Sequence, residues 1–165
     1  MTFEESMKEL GQLLKQTRKT KNLTLYQLAH KSGIVADHIQ KIENAKHGGV
    51  EILTYAQLLF SLKVSLSFSN DDGTSIALSK KQKEFINWLF FNLPKDNDLQ
   101  FLNYKPTIFL DCLGKEIYKK RKKVSLTQKE LSQKTGLSNT TISHIESGKY
   151  NFNLHSLYKI AKGIS

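Results

Sequence analysis

The sequence of 165 residues holds one cysteine, Cys112, and is short of acid, with 15 Asp and Glu against 25 Lys and Arg. A single thiol excludes an intramolecular disulfide and cannot furnish a Cys-based zinc site. The densest apolar run, residues 85–93, falls far short of the roughly 18–20 residues that span a bilayer, so no membrane role is expected. The opening residues, Met1-Thr-Phe-Glu-Glu5, are acidic and carry no apolar core of a secretion signal. No Gly-rich phosphate loop, Cys/His metal spacing or nucleophile elbow occurs, so neither an enzyme nor a bound metal or cofactor is expected. His30, His38 and His47 read as solvated side chains on helix surfaces. Cys112 reads as a small packed hydrophobe, and Asp71-Asp72 as part of a turn. A soluble cytoplasmic protein is the expectation.

What the sequence has is positive charge and an internal repeat. The formal charge is +10, which favours a polyanionic partner without speaking to fold. It is uneven: residues 1–68 carry nine basic and six acidic groups, residues 69–110 five of each, and residues 111–165 eleven against four. Shifted by 103 residues and aligned without gaps, residues 10–46 and 113–149 share many identities. Among them are Leu10/Leu113, Gly11/Gly114, Arg18/Arg121, Leu23/Leu126, Thr24/Thr127, Leu28/Leu131 and Gly33/Gly136. Ile39/Ile142, Ile42/Ile145, Glu43/Glu146 and Lys46/Lys149 continue the match. A separation this long implies two copies of one domain joined by a connector, not a solenoid.

Each copy reads as a string of short helices. In the second, Thr127 caps a helix over residues 128–134, with Glu130 three residues on as a capping box requires. Gly136 supplies the positive φ that ends that helix, and Ser138 caps the next, which runs to about Ser147. Two short helices across a tight Gly-containing turn make a helix-turn-helix. Thr24, Leu28, Gly33, Ile39 and Ile42 repeat the scheme in the first copy.

The stretches Ser125-Leu-Thr-Gln-Lys-Glu-Leu-Ser132, Thr135-Gly-Leu-Ser138 and Ile142-Ser-His-Ile-Glu-Ser-Gly-Lys149 resemble the lambda-repressor-like helix-turn-helix domain, the XRE family. The resemblance covers about 55 residues in each copy. The first copy departs from the pattern: Leu25 replaces a Gln, Val35 and Gln40 replace two Ser, and Ala45 replaces a Gly. The resemblance implies a reading helix in the major groove, with side chains on its exposed N-terminal face against base edges. In the second copy these are Asn139, Thr140, Thr141 and His144, while Leu137, Ile142 and Ile145 point inward. Asn suits adenine, and Thr can bond to a base or set its methyl against thymine. Gln128 resembles the family residue that touches a phosphate and braces the reading helix. Ser147, Gly148 and Lys149 match the phosphate-binding loop, and Lys119-Lys-Arg-Lys-Lys123 either adds electrostatic pull or is a solvated helix end. In the first copy the matching readers are Ala36, Asp37, His38 and Lys41, with Asn44 and Lys46 in the phosphate loop. Asp37 can accept from cytosine N4 but also repels phosphates. The pairs Arg18/Glu43 and Arg121/Glu146 are implied to be structural salt bridges from the first helix to the end of the reading helix.

Between the copies, residues 63–68 alternate with period two, Asn70-Asp-Asp-Gly73 is a turn signal, and residues 75–78 can return, giving a β-hairpin over 64–78. Residues 62–68 also resemble the C-terminal strand of HipB-type antitoxins, where it helps build the dimer. A helix over residues 79–92 carries Phe85, Trp88, Leu89 and Phe91, which fit either core or a dimer or partner surface. The expected architecture is mainly α. A first, divergent helix-turn-helix domain spans 1–68, a connector 69–105, and a second, more basic domain 106–165. The expected function is sequence-specific double-stranded DNA binding as a transcriptional repressor, acting as a homodimer on a palindrome or with the two copies of one chain as a covalent pseudo-dimer on an asymmetric site. The alternative is a HipB-like antitoxin that binds a toxin or other protein partner and autoregulates its operon.

Overall fold

A computed structural model describes residues 2–47, 49–62 and 106–164, with the side chains of residues 106–108 excepted. The expected hairpin over 64–78, the helix over 79–92 with Phe85, Trp88, Leu89 and Phe91, and the connector 69–105 lie outside these residues. The described chain is mainly α, and it divides into two compact units.

The first unit comprises α1 (Phe3–Thr20), α2 (Leu25–Ser32), α3 (Ala36–Glu43) and α4 (Ile52–Ser61). The second comprises α5 (Pro106–Lys123), α6 (Gln128–Thr135), α7 (Asn139–Glu146) and α8 (Leu154–Ile164). The bounds of α1, α2 and α3 reappear in α5, α6 and α7 displaced by 103 residues. Local signals account for these ends. Thr24 and Thr127 each close a capping box, with Gln27 and Glu130 reaching back to the cap N–H. Each box satisfies two helix N–H groups that would otherwise lack partners. Gly33 and Gly136 terminate α2 and α6 in the left-handed region, at φ of 70° and 68°. Pro106 stands at the first position of α5, where its missing N–H costs no helical bond.

In the first unit the core is built from Leu10, Leu13, Leu14, Leu28, Ile39, Ile42, Leu58 and Leu62, all nearly inaccessible to solvent. Tyr55 joins them, its hydroxyl donating to the Leu10 carbonyl at 3.2 Å, and burial drives its phenol far above the ordinary range. In the second unit Leu113, Ile117, Leu131, Ile142, Ile145, Phe152, Leu157 and Ile160 form the core. Full burial of such a side chain contributes about 1.5–3 kcal/mol.

The first and third helices of each unit touch through a glycine. A Cβ on Gly11 would lie 2.6 Å from the Ile42 carbonyl oxygen and 2.7 Å from that of Glu43. A Cβ on Gly114 would lie 2.8 Å from the Glu146 oxygen and closer still to that of Ile145. Glycine in a helix interior costs up to about 1 kcal/mol against alanine; here it permits backbone-to-backbone approach and so sets the angle at which the third helix is presented.

Two expectations require correction. Cys112 is half-buried, because its place on α5 lies between the inward stripe of Leu113 and Ile117 and the outer face. Leu137, expected to point inward, is also only half-buried, since it follows the turn glycine and precedes the cap of α7.

Candidate nucleic-acid interface

In the second unit, α7 is held by an ion pair at its C-terminal end. Arg121 Nε and Nη2 donate to the two carboxylate oxygens of Glu146 at 2.6 and 2.7 Å. Arg121 Nη1 donates to the Leu126 carbonyl at 2.7 Å, and Gln128 Nε2 donates to Glu146 Oε2 at 2.9 Å. The arginine and glutamate side chains are 3% and 4% exposed, so the fork is inside the fold and not a surface pair. The bonds to Glu146 raise the Arg121 pKa against the opposing effect of burial. Gln128 thereby ties the start of α6 to the end of α7. In the first unit Arg18 makes the same fork to Glu43 at 2.6 and 2.8 Å and donates to the Leu23 carbonyl. Leu25 occupies the position of Gln128 and can make no such amide brace.

With Ile142 and Ile145 buried, helical periodicity turns Asn139, Thr140 and His144 outward, and all three are exposed. Thr141, expected beside them as a reader, is instead half-buried. Its N–H donates to Ser138 Oγ at 3.0 Å and its hydroxyl lies 2.8 Å from the same oxygen, so its polar groups serve the helix cap. A Ser followed three residues later by a hydrogen-bonding side chain is the sequence signal for this. Beyond α7, the Gly148 N–H donates to the Ile145 carbonyl and the Lys149 N–H to that of His144. Gly148 takes φ of 67°, a residue that closes the helix and leaves Ser147 and Lys149 exposed beside it. The basic run 119–123 closes α5, its residues 120–123 forming the last turn, where cations favour the helix dipole. It is not uniformly a surface: Arg121 is turned inward, and Lys119 pairs with Glu116 at 2.6 Å.

The first unit presents a different face. Asp37, Gln40 and Lys41 are exposed along α3, as are Asn44 at its C-cap and Lys46 after it. Gln40, one turn beyond Asp37, was not among the expected readers, although its i, i+3 spacing could have shown it. Ala36 is half-buried. His38 departs from both expectations made of it, as a solvated side chain and as a reader. Its ring stacks on that of His47 with centroids 4.5 Å apart, and its Nε2 is buried without a hydrogen-bond partner among the described residues. Burial, followed by His47 and Lys41, lowers its pKa against a smaller opposing effect of Asp37. His47 lies after α3 and not on a helix, and it too is half-buried; His30 is exposed as expected. Val35 precedes α3 with no side-chain cap bond and is 69% exposed, and Tyr26 is 81% exposed.

No group of three or more His, Cys, Asp or Glu residues able to hold a metal ion occurs among the described residues. No described helix is long and apolar enough to cross a membrane.

Residues 117–164 match the family model described as helix-turn-helix. A protein of Archaeoglobus fulgidus described as an uncharacterized HTH-type transcriptional regulator is 48% identical over 42 residues, which cover 26% of this chain and 60% of that protein. The chain thus spans about 60% of the length of this curated relative. No solved structure gives a significant match.

Proposed function

We propose that the protein is a sequence-specific double-stranded DNA-binding regulator of transcription, acting as a repressor by occluding a promoter. The observation that carries this reading is the outward set Asn139, Thr140 and His144 on a helix pinned from behind by Arg121, Glu146 and Gln128. These are uncharged or weakly basic groups in a segment with eleven basic and four acidic residues. Such a helix can offer hydrogen bonds to base edges while lysines such as Lys149 neutralise phosphates, so specificity and affinity come from separate residues. No covalent chemistry is required.

The first unit has the same helices in the same register, and we read it as a second module of this kind. Two modules in one chain can act as a covalent pair on one site, or the chain can form a homodimer whose second units meet a palindrome. Tyr26 and Val35, exposed where the second unit has Lys129 and Ser138, favour a second reading in which the first unit takes a protein partner, as a HipB-like antitoxin would. Selection of sites from random duplex DNA tests the main reading. Asn139→Ala should then cost about 1–3 kcal/mol on the selected site and relax one base position. Equal losses on selected and random DNA would refute base reading by α7.

A further inference from the structure

We propose that the two units read unlike half-sites, and that α3 of the first unit recognises a C·G pair through Asp37 and Lys41. This rests on the DNA-binding reading above and extends it to the specificity of the first unit.

Asp37 and Lys41 occupy the register positions of Thr140 and His144. They lie one turn apart, with Lys41 Nζ 2.7 Å from Asp37 Oδ2, and their side chains are 71% and 53% exposed. A cytosine presents its N4 donor in the major groove, and the guanine paired with it presents the O6 and N7 acceptors. A carboxylate beside an ammonium on one helix face is the complement of that pattern: Asp37 accepts from N4 while Lys41 donates to O6 or N7. An exposed i, i+4 ion pair is weak, so little is forfeited when its members exchange each other for base edges. Lys41 also offsets the repulsion that a lone carboxylate would meet among phosphates. Because His38 is held in its stack with His47, Asp37, Gln40 and Lys41 are the outward side chains left on this part of α3. The corresponding face of α7 carries no carboxylate and no lysine. Asn139 and Thr140 suit adenine and the thymine methyl instead. One chain bearing both faces selects a composite, non-palindromic site.

The test is selection from random duplex DNA with the full chain as wild type, Asp37→Asn and Asn139→Ala, with melting curves to confirm folding. Asp37→Asn is isosteric at an exposed position. Wild type should return a composite site made of two unlike half-site motifs. Asp37→Asn should lose about 5- to 150-fold of discrimination for C at one position of one motif and leave the other intact, and Asn139→Ala should do the reverse. The proposal is overturned if Asp37→Asn tightens binding to all duplexes alike without altering base preference, since Asp37 would then only repel phosphates. It is also overturned if wild type returns a single motif or a palindrome that depends on Asn139 alone. In both cases DNA reading by the second unit stands, and in the second case the first unit is left to a partner role, whereas failure of wild type to enrich any motif removes the DNA-binding reading itself.

Discussion

Glu146→Ala removes the acceptor of the buried fork that holds α7 in the second unit. The carboxylate receives two bonds from Arg121 and one from Gln128, and its removal leaves the guanidinium, 3% exposed, with two N–H groups unpaired. Breaking a buried pair by deleting one member costs about 3–5 kcal/mol, chiefly because the surviving charge stays desolvated. A unit of this size has a stability of roughly 3–9 kcal/mol at about 0.05–0.15 kcal/mol per residue. The variant should therefore sit close to unfolding at ambient temperature. At about 4–8 °C per kcal/mol, its transition should fall by at least about 12 °C. Urea and thermal melts of the full chain followed by far-UV circular dichroism would read this as early loss of part of the helical signal. A double variant, Arg121→Met with Glu146→Leu, removes both charges and should recover most of the loss. A cost for Glu146→Ala below about 1 kcal/mol, typical of solvent-exposed pairs, would refute the reasoning. So would a double variant as unstable as the single one.

Gly114→Ala should destabilise the second unit by about 1–3 kcal/mol through overpacking although alanine favours helix, because its Cβ meets the carbonyl oxygens of Ile145 and Glu146; a raised melting temperature would exclude this close approach. Lys149→Ala should weaken binding to all duplexes about equally and reduce the salt slope by about 0.9, and an unchanged slope would remove Lys149 from the phosphate contacts. For His38, whose pKa is lowered in the fold by burial, His47 and Lys41, the unfolded chain binds a proton first as the pH falls below about 6.5. Its contribution to stability is thus complete above that pH and is lost as the pH drops through the folded value. His38→Thr, the residue found at the matching position of α7, should flatten the pH dependence of the melting temperature over this acid range; an unaltered profile would show that the stack with His47 does not perturb the imidazole.

How much of the candidate interface was legible in the sequence depended on how far apart the interacting groups lie. Asn139, Thr140 and His144 could be placed outward from periodicity, because Ile142 and Ile145 fix the inward stripe of a helix only two turns long. The Arg121–Glu146 fork was legible through the family resemblance, with its recurrence as Arg18–Glu43 at the same register beside it. Gln128 was expected at a phosphate as well as at the reading helix, and its bond to Glu146, 18 residues away, fixes its amide nitrogen on the helix side. His38 was misread because its partner, His47, follows the helix and meets it only after the chain turns back. Thr141 was misread for the opposite reason: the competing acceptor, Ser138, is close in sequence, but whether a threonine faces the cap or the solvent depends on its rotamer.

By itself the sequence determined where helices begin and end and that the pattern occurs twice, since caps, turn glycines and apolar periodicity act over three or four residues and need no distant partner. Only the tertiary structure decided which polar side chains remain free for another molecule. Arg121, Glu146, Thr141 and His38 are all polar, yet each is engaged or enclosed by neighbours within its own unit. Asn139, Thr140, Asp37 and Lys41 reach the outside. That sorting arises because a group whose partners lie inside its own unit is withdrawn from solvent with them, and only the fold brings together residues as distant in sequence as Arg121 and Glu146.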